Sequence, residues 1–385
     1  MIRVSHVLWS GGIGGIERLV HDLAREQRRQ GIDVSVVFGQ ADGLFTGRLR
    51  SEGFEVGDLA LRSGWDLRQG ALAEGRRLLG ERDIVHMHGF NLAFAAVLRG
   101  QDPAVVLTEH GHFALGRRLG LSGRVKRLVL NRFLRRRVDV IAANSAHTAS
   151  QMCDVYRLRL DQIRVVHNGI PPHAQAKPSP ERNDARLVVA FVGRLVRFKR
   201  IERLIEALAM LDEPEQIRAL IVGSGPLDGE LRELARARGI ESAVEFIGAV
   251  DDVTPVLREA DVIVQPSEGE PFGLSVLEGC EAGCLPIAFA DGGGVLEALP
   301  RDGLIVGNET ELAATLARLP GSEVLSSAAR RDRAAWAQRA FPIERTCHQY
   351  LELYRAALRG RHRRRTVGDR RGALAAEQHR HARPQ

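Results

Sequence analysis

Short runs of β-branched and aliphatic residues alternate with helical stretches along most of the chain, the pattern of parallel strands joined by crossover helices. In the first half, residues 3–9, 33–38, 84–88, 105–108, 140–143 and 163–167 read as strands. Between the first two, Ile16, Leu19, Val20 and Leu23 recur at helical spacing and predict a helix over 16–30. The segment PPHAQAKPSPERND, residues 171–184, has four prolines and no apolar periodicity, so it reads as a linker. The alternation restarts with LVVAFV at 187–192, a continuous apolar run suited to a strand covered on both faces. Further strands are expected at 219–222, 244–247, 262–265, 285–288 and 304–306.

The fold class is therefore α/β: two Rossmann-like, doubly wound parallel-sheet domains at 1–170 and 187–340, joined by a proline-rich linker at 171–186. A helix after Pro342, within 341–358, is long enough to return toward the first domain. Residues 359–385 form an Arg- and His-rich tail with few apolar side chains, expected to be disordered.

A length of 385 residues suits two domains, and 44% hydrophobic with 27% charged residues is an ordinary globular composition. Net charge is +7, which by itself suggests a polyanionic partner. Its distribution changes that picture. Residues 1–170 carry 25 basic and 17 acidic side chains, and residues 171–358 carry 21 and 29. The tail carries nine Arg against Asp369 and Glu377, so it alone matches the excess of the whole chain. The four cysteines form no C-x-x-C pair and imply a reducing compartment. MIRVSHVLW reads as a strand and not as the apolar core of a signal peptide, and no apolar run approaches the roughly 18 residues of a membrane span. The expected location is cytoplasmic, or peripheral on the inner face of the plasma membrane.

Three segments carry candidate chemistry. GGIGG, Gly11 to Gly15, lies between a strand and a helix, where backbone N–H groups suit a phosphate or carboxylate. It lacks the third glycine of the dinucleotide fingerprint, and no acidic residue ends the second strand. GRLVRFKR places Arg194 and Lys199 at the carboxyl end of a buried strand, where open α/β sheets bind ligands. Lysine is otherwise confined to Lys126 and Lys177, and two fixed cations can neutralise a diphosphate without a metal. In EGEPFGLSVLE, Pro271 predicts a helix beginning there, with Phe272, Gly273 and Leu274 in its first turn. Glu278 would then lie about 12 Å along the axis from Glu270, too far for a glycosidase carboxylate pair but suited to a long ligand such as a nucleotide sugar.

GGIGGIERLV, the GRL…K loop, EPFGLSVLE as E-x7-E, and GGGVLEAL…DGLIV at 292–306 together resemble the family 4 glycosyltransferases of GT-B fold, over about residues 1–355. The resemblance implies a retaining, metal-independent transfer of a sugar from a nucleoside diphosphate, UDP- or GDP-linked, with no cofactor. Arg194 and Lys199 would hold the diphosphate, Glu278 the ribose, Glu270 the transferred sugar, and the Phe272–Leu274 amides the phosphates. From the first domain, Gly14 and Gly15 would close over the phosphates, and His110 would face the sugar. Arg200 stands where glycine is common in the family, and Cys280 where a small residue is usual.

His86 and His88 alternate on one strand face, and His110 and His112 repeat that spacing. No acid or cysteine accompanies either pair, so no metal is expected. From Arg117 to Arg137 there are nine basic residues and no acidic one, interleaved with aliphatic side chains. Arg117, Arg118, Arg124, Lys126, Arg127, Arg135 and Arg136 are the candidate contacts to an anionic membrane or to a lipid-linked saccharide acceptor. A nucleotide-sugar epimerase of the same fold is the rival enzyme reading. A basic nucleic-acid-binding protein is the rival of another class, and the acidic second half and scarcity of aromatics count against it.

Overall fold

The computed structural model describes residues 2–111, 121–171 and 186–361. Most of the predicted linker, the 362–385 part of the tail, Arg117, Arg118, His112 and the Lys126 side chain lie outside the described residues. The first sheet comprises β1 (Arg3–Ser10), β2 (Asp33–Gln40), β3 (Glu55–Asp58), β4 (Ile84–His88), β5 (Ala104–Glu109), β6 (Val140–Ala143) and β7 (Ile163–Val165). The second comprises β8 (Leu187–Val192), β9 (Ile217–Val222), β10 (Val244–Gly248), β11 (Val262–Gln265), β12 (Leu285–Phe289) and β13 (Leu304–Val306).

The strand orders are β3-β2-β1-β4-β5-β6-β7 and β10-β9-β8-β11-β12-β13, and the pairings in both sheets are parallel. Strands β4, β5, β8 and β12 are buried along their whole length, as sheets covered by helices on both faces require. In each sheet the order reverses beside the first strand, at β1 and at β8. That reversal opens a crevice at the carboxyl edge. The GGIGG loop follows β1 and the GRLVRFK loop follows β8, so both occupy these crevices.

Two local expectations change. The sequence did not point to β3, a four-residue strand at the sheet edge with little apolar pattern. The helix expected at Pro271 instead runs Leu274–Glu281. Its start is displaced because the backbone at Glu270 pairs with Gly293, through Glu270 N–H to the Gly292 carbonyl and Gly294 N–H to the Glu270 carbonyl, each 2.7 Å. Gly273 then turns the chain at φ +94°, a left-handed conformation that favours glycine. Glu270 therefore lies outside the helix that carries Glu278, and a spacing counted along one helix axis does not apply to the pair.

The helix over 343–361 returns to the first sheet. Its Cys347, Tyr350, Leu351, Tyr354 and Ala357 are buried in one cluster with Val4, Leu19, Leu23, Ile84 and Val106. The helix extends three residues into the predicted tail, where Arg361 pairs with Asp102 at 3.0 Å and Asp139 at 3.3 Å. Where the chain passes between sheets, Ile170 and Phe341–Ile343 lie side by side: Ile170 N–H bonds the Phe341 carbonyl and Ile343 N–H the Ile170 carbonyl, both at 2.9 Å.

At the crevice beside β8, Gly223 has φ +135°, and a Cβ there would lie 1.9 Å from the Gly193 carbonyl oxygen. Gly223→Ala should lower the unfolding free energy by more than about 2 kcal/mol, seen as an earlier urea midpoint. An unchanged midpoint would show that the loop after β8 tolerates displacement.

Candidate functional site

A cavity of about 610 Å³ lies between the carboxyl edges of the two sheets. It gathers every candidate donor-site residue from the sequence: Gly14, Gly15 and His110 from the first half, and Arg194, Lys199, Glu270, Phe272, Gly273, Leu274 and Glu278 from the second. The other candidate set, Arg124, Arg127, Arg135 and Arg136, lies on the helix Leu121–Arg137 and is absent from that lining.

Two contacts bring the halves into register. Gly111, at φ +89°, packs on Pro271 so closely that a Cβ would meet the proline ring at 2.4 Å. His110 and Glu270 are thereby carried on loops that touch. The Ser145 hydroxyl donates to the Pro271 carbonyl at 2.6 Å, and the Glu297 carboxylate accepts the Ala146 and His147 amides at 2.9 Å each. Those amides open the helix Ala146–Tyr156, whose N-terminus favours an anion. His167 Nε2 lies 3.0 Å from the same carboxylate. Burial pushes the Glu297 carboxyl up, but His167 and the two amides outweigh it and leave it below the usual range.

The Lys199 ammonium bonds Glu270 at 2.8 Å, and Gln265 Nε2 donates to the same carboxylate at 3.0 Å. Burial raises the Glu270 carboxyl, while the Lys199 charge and these hydrogen bonds lower it further, so it stays ionised. Lys199 ends a short 3-10 turn, Arg197–Lys199, closed by Arg200 at φ +49°. That left-handed backbone explains why glycine suits the position. Arg200 is held there by Glu202 at 2.5 Å and Glu268 at 2.8 Å.

A second ion pair crosses the cavity from one half to the other, Arg18 Nη1 to Glu278 at 2.6 Å. Burial raises the Glu278 carboxyl, against the lowering effect of Arg18. Beside it, burial also raises Glu17, opposed by a Ser10 hydrogen bond and by the charge of Arg194. Gly14 precedes the helix Gly15–Arg29 in extended backbone, and a Cβ on Gly15 would meet Leu274 at 3.6 Å. The glycine loop thus touches the start of the helix Leu274–Glu281.

Sequence reasoning missed Arg18, Glu17, Asn144 and Asn168. Arg18 stands in the first turn of a helix, where a cation opposes the macrodipole, and that local conflict was the available signal. Asn144 and Asn168 follow β6 and β7 at the carboxyl edge. Both are buried, and their Oδ1 atoms have no hydrogen-bond partner among the described residues. Such an atom costs about 1–3 kcal/mol unless a ligand or water meets it.

His86 and His88 do share one face, with ring centroids 4.1 Å apart, and His6 of β1 joins them. One nitrogen from each of these three rings lies within 4.8 Å of the other two, the spacing of a metal site. Each of the six nitrogens already has a hydrogen-bond partner, however: Gln27, His88, Tyr354, Thr108, His6 or His110. Among the described residues, no carboxylate or thiolate joins the group. A cation would have to displace several of those bonds, so the donor set fits a hydrogen-bonded network better than a metal.

Residues 173–335 match the family model of glycosyl transferases group 1, and residues 13–174 that of glycosyltransferase family 4. The chain is 30% identical over 294 residues to D-rhamnosyltransferase WbpZ of Pseudomonas aeruginosa, covering 70% of this chain and 72% of that one. It is 32% identical over 165 residues to an uncharacterised glycosyltransferase of Methanocaldococcus jannaschii, 40% of this chain and 42% of that one. Among solved structures, Anabaena HepE in complex with UDP and glucose superposes with a TM-score of 0.75 at 20% identity, over 92% of this chain and 99% of that one. The architecture is GT-B, two Rossmann-like sheets facing across a cleft. The chain belongs to the family 4, group 1 glycosyltransferases, and its activity is glycosyl transfer.

Immediately before His110, Glu109 is buried and accepts bonds from the Tyr156 hydroxyl at 2.9 Å and the Phe90 amide at 3.3 Å. Burial raises its carboxyl from 4.5 to about 7, against those two bonds. A carboxyl raised in the folded state stabilises fully below the unfolded value and loses that contribution as pH rises through the folded one. Between pH 4.5 and about pH 8, the unfolding free energy of Glu109→Gln should gain roughly 3 kcal/mol relative to wild type. Urea titrations at both pH values measure it, and parallel profiles would remove the buried-acid assignment.

Proposed function

We propose that the protein transfers a sugar, with retention of anomeric configuration, from a nucleoside diphosphate to a lipid-linked saccharide acceptor in bacterial surface polysaccharide or lipopolysaccharide synthesis. The observation that carries this is the convergence in one cleft of three cations, Arg18, Arg194 and Lys199, with the carboxylates Glu17, Glu270 and Glu278 and helix-start amides, drawn from both halves of the chain. HepE, the similar structure, is described with UDP and glucose.

In this proposal the diphosphate enters beside Arg194 and takes over the Lys199 ammonium, while the Leu274 and Ser275 amides, free of intrahelical partners by position, face its oxygens. Glu270, released from Lys199, accepts a hydroxyl of the transferred sugar. Glu278 accepts the ribose hydroxyls, with Arg18 holding that carboxylate against the first half. His110 meets the sugar, and the Asn144 and Asn168 oxygens offer acceptors within the same cavity. The bond from the anomeric carbon to the phosphate oxygen breaks with its electron pair going to the diphosphate. The adjacent cations stabilise that charge more in the transition state than in the ground state. The acceptor hydroxyl adds on the same face, and its proton passes to the departing phosphate oxygen. With the charge neutralised by side chains, the reaction needs no metal.

The acceptor assignment draws on the helix Leu121–Arg137. One face buries Leu130, Phe133 and Leu134 in the core. The other exposes Val125 by 56%, Leu128 by 70% and Val129 by 36%. Arg124, Arg132, Arg135 and Arg136 are exposed around them. Apolar side chains ringed by arginine suit the interface of an anionic leaflet, where each basic residue contributes about 1 kcal/mol. Among the described residues, no helix is long and apolar enough to cross a membrane.

Glu270→Ala and Lys199→Ala should each lower kcat by about 10²-fold or more with an unchanged circular dichroism spectrum. Thermal-shift measurements with UDP and GDP identify the base, since a bound donor fragment stabilises by mass action. Product analysis should show the sugar on the acceptor, unaffected by EDTA. Near-wild-type turnover in either variant would overturn the site assignment. In flotation assays the protein should rise with anionic vesicles and not with neutral ones, and Leu128→Asp should weaken that binding. Equal binding to both lipids would exclude an electrostatic membrane contact.

A further inference from the structure

Behind His110, the first sheet contains a continuous polar chain that the transfer chemistry does not explain. His6, His86 and His88 are buried on adjacent strands, with His6 and His86 directly opposite in register. Gln27 Oε1 lies 2.9 Å from His6 Nε2, His6 Nδ1 lies 2.9 Å from His88 Nε2, and His88 Nδ1 lies 3.0 Å from His110 Nε2. A branch leaves from the same glutamine: Gln27 Nε2 donates to the Tyr354 hydroxyl at 3.2 Å, and Tyr354 lies 2.7 Å from His86 Nδ1. His86 Nε2 continues to Thr108 Oγ1 at 2.8 Å, and Thr108 to the Tyr350 hydroxyl at 3.3 Å.

Burial holds these imidazoles neutral. It lowers His6 to about 4, opposed by the Gln27 hydrogen bond, and lowers His86 and His88 well below the usual range. A neutral imidazole has one N–H and one lone pair, so each ring that bonds two partners must donate to one and accept from the other. The chain therefore has a direction. Gln27 spends its amide N–H on Tyr354, so its oxygen faces His6 and the proton of His6 sits on Nε2. His6 Nδ1 must then accept from His88 Nε2–H, and His88 Nδ1 from His110 Nε2–H. On the branch, Tyr354 donates to His86, His86 to Thr108, and Thr108 to Tyr350, with no donor set against a donor.

We propose that Gln27, His6 and His88 are positioning residues that lock His110 as the neutral Nε2–H tautomer, so that its Nδ1 lone pair meets the donor sugar as a hydrogen-bond acceptor. Tyr354, on the returning C-terminal helix, sets the direction of the chain through Gln27. This rests on the proposed contact between His110 and the donor sugar, but the tautomer can be read without any substrate.

The test is two-bond ¹H–¹⁵N correlation spectroscopy of the full chain labelled at histidine nitrogen, at neutral pH. His6, His88 and His110 should each give the single neutral Nε2–H pattern. A His110 spectrum showing Nδ1–H, imidazolium or a mixture of tautomers would overturn the proposal. In Gln27→Leu the His110 pattern should become a mixture, and kcat should fall tenfold or more. If that variant does not fold, Tyr354→Phe, which frees the Gln27 amide to rotate, should give the same spectrum. An unchanged His110 tautomer in the folded variant overturns the positioning role. A mixed tautomer with wild-type kcat instead overturns the link to the sugar and leaves the donor site assignment of Lys199 and Glu270 untouched.

Discussion

The cleft depends on a carboxylate and an ammonium held together out of water. Lys199 and Glu270 come from loops after different strands, and neither could stay charged there alone. Their pairing fixes the distance between the loop after β8 and the segment that precedes the helix Leu274–Glu281. Much of the surrounding backbone serves that geometry. Arg200 adopts a left-handed conformation to end the turn at Lys199, and Gly223 lets the next strand end approach within a distance no side chain permits. Glu270 itself is clamped between Gly292 and Gly294. A ligand that replaces one partner of the pair inherits a site already desolvated, where its own charge is worth more than in water.

Directed polar contacts join the halves beside the cleft. Glu297 caps a helix of the other half, Ser145 binds the Pro271 carbonyl, and Arg18 reaches Glu278. Each contact lies within a few residues of a group proposed to bind the donor, so the contacts that join the halves also align the proposed site. The returning helix adds a second link, because Tyr350 and Tyr354 are part of the first core while their chain issues from the second sheet.

Much of this was legible in the sequence because parallel strands are local apolar runs. LVVAFV announces β8 without reference to anything else in the chain. The E-x7-E spacing and the Arg194–Lys199 loop were legible for a similar reason, being short and placed directly after strands. What escaped depends on distant partners. The helix start at Leu274 was misplaced because the backbone before it pairs with Gly292–Gly294, about twenty residues away. Arg18 and Glu278 are separated by 260 residues. The alternation of His86 and His88 predicted a shared face, yet nothing local placed His6 opposite them, since cross-strand register is a property of the assembled sheet. β3 was silent because EVGD offers a single aliphatic side chain.

The paired crossing at Ile170 and Pro342 has a mechanical consequence. Two covalent connections hydrogen-bonded to each other form a ribbon rather than two independent tethers. Such a ribbon resists sliding of one connection past the other, because that motion breaks both hydrogen bonds at once. Gly169 sits on that ribbon, where a Cβ would lie 2.7 Å from the Pro342 carbonyl oxygen and from the Ile343 Cα. The crossing is therefore closely packed, and any displacement of one connection is passed directly to the other.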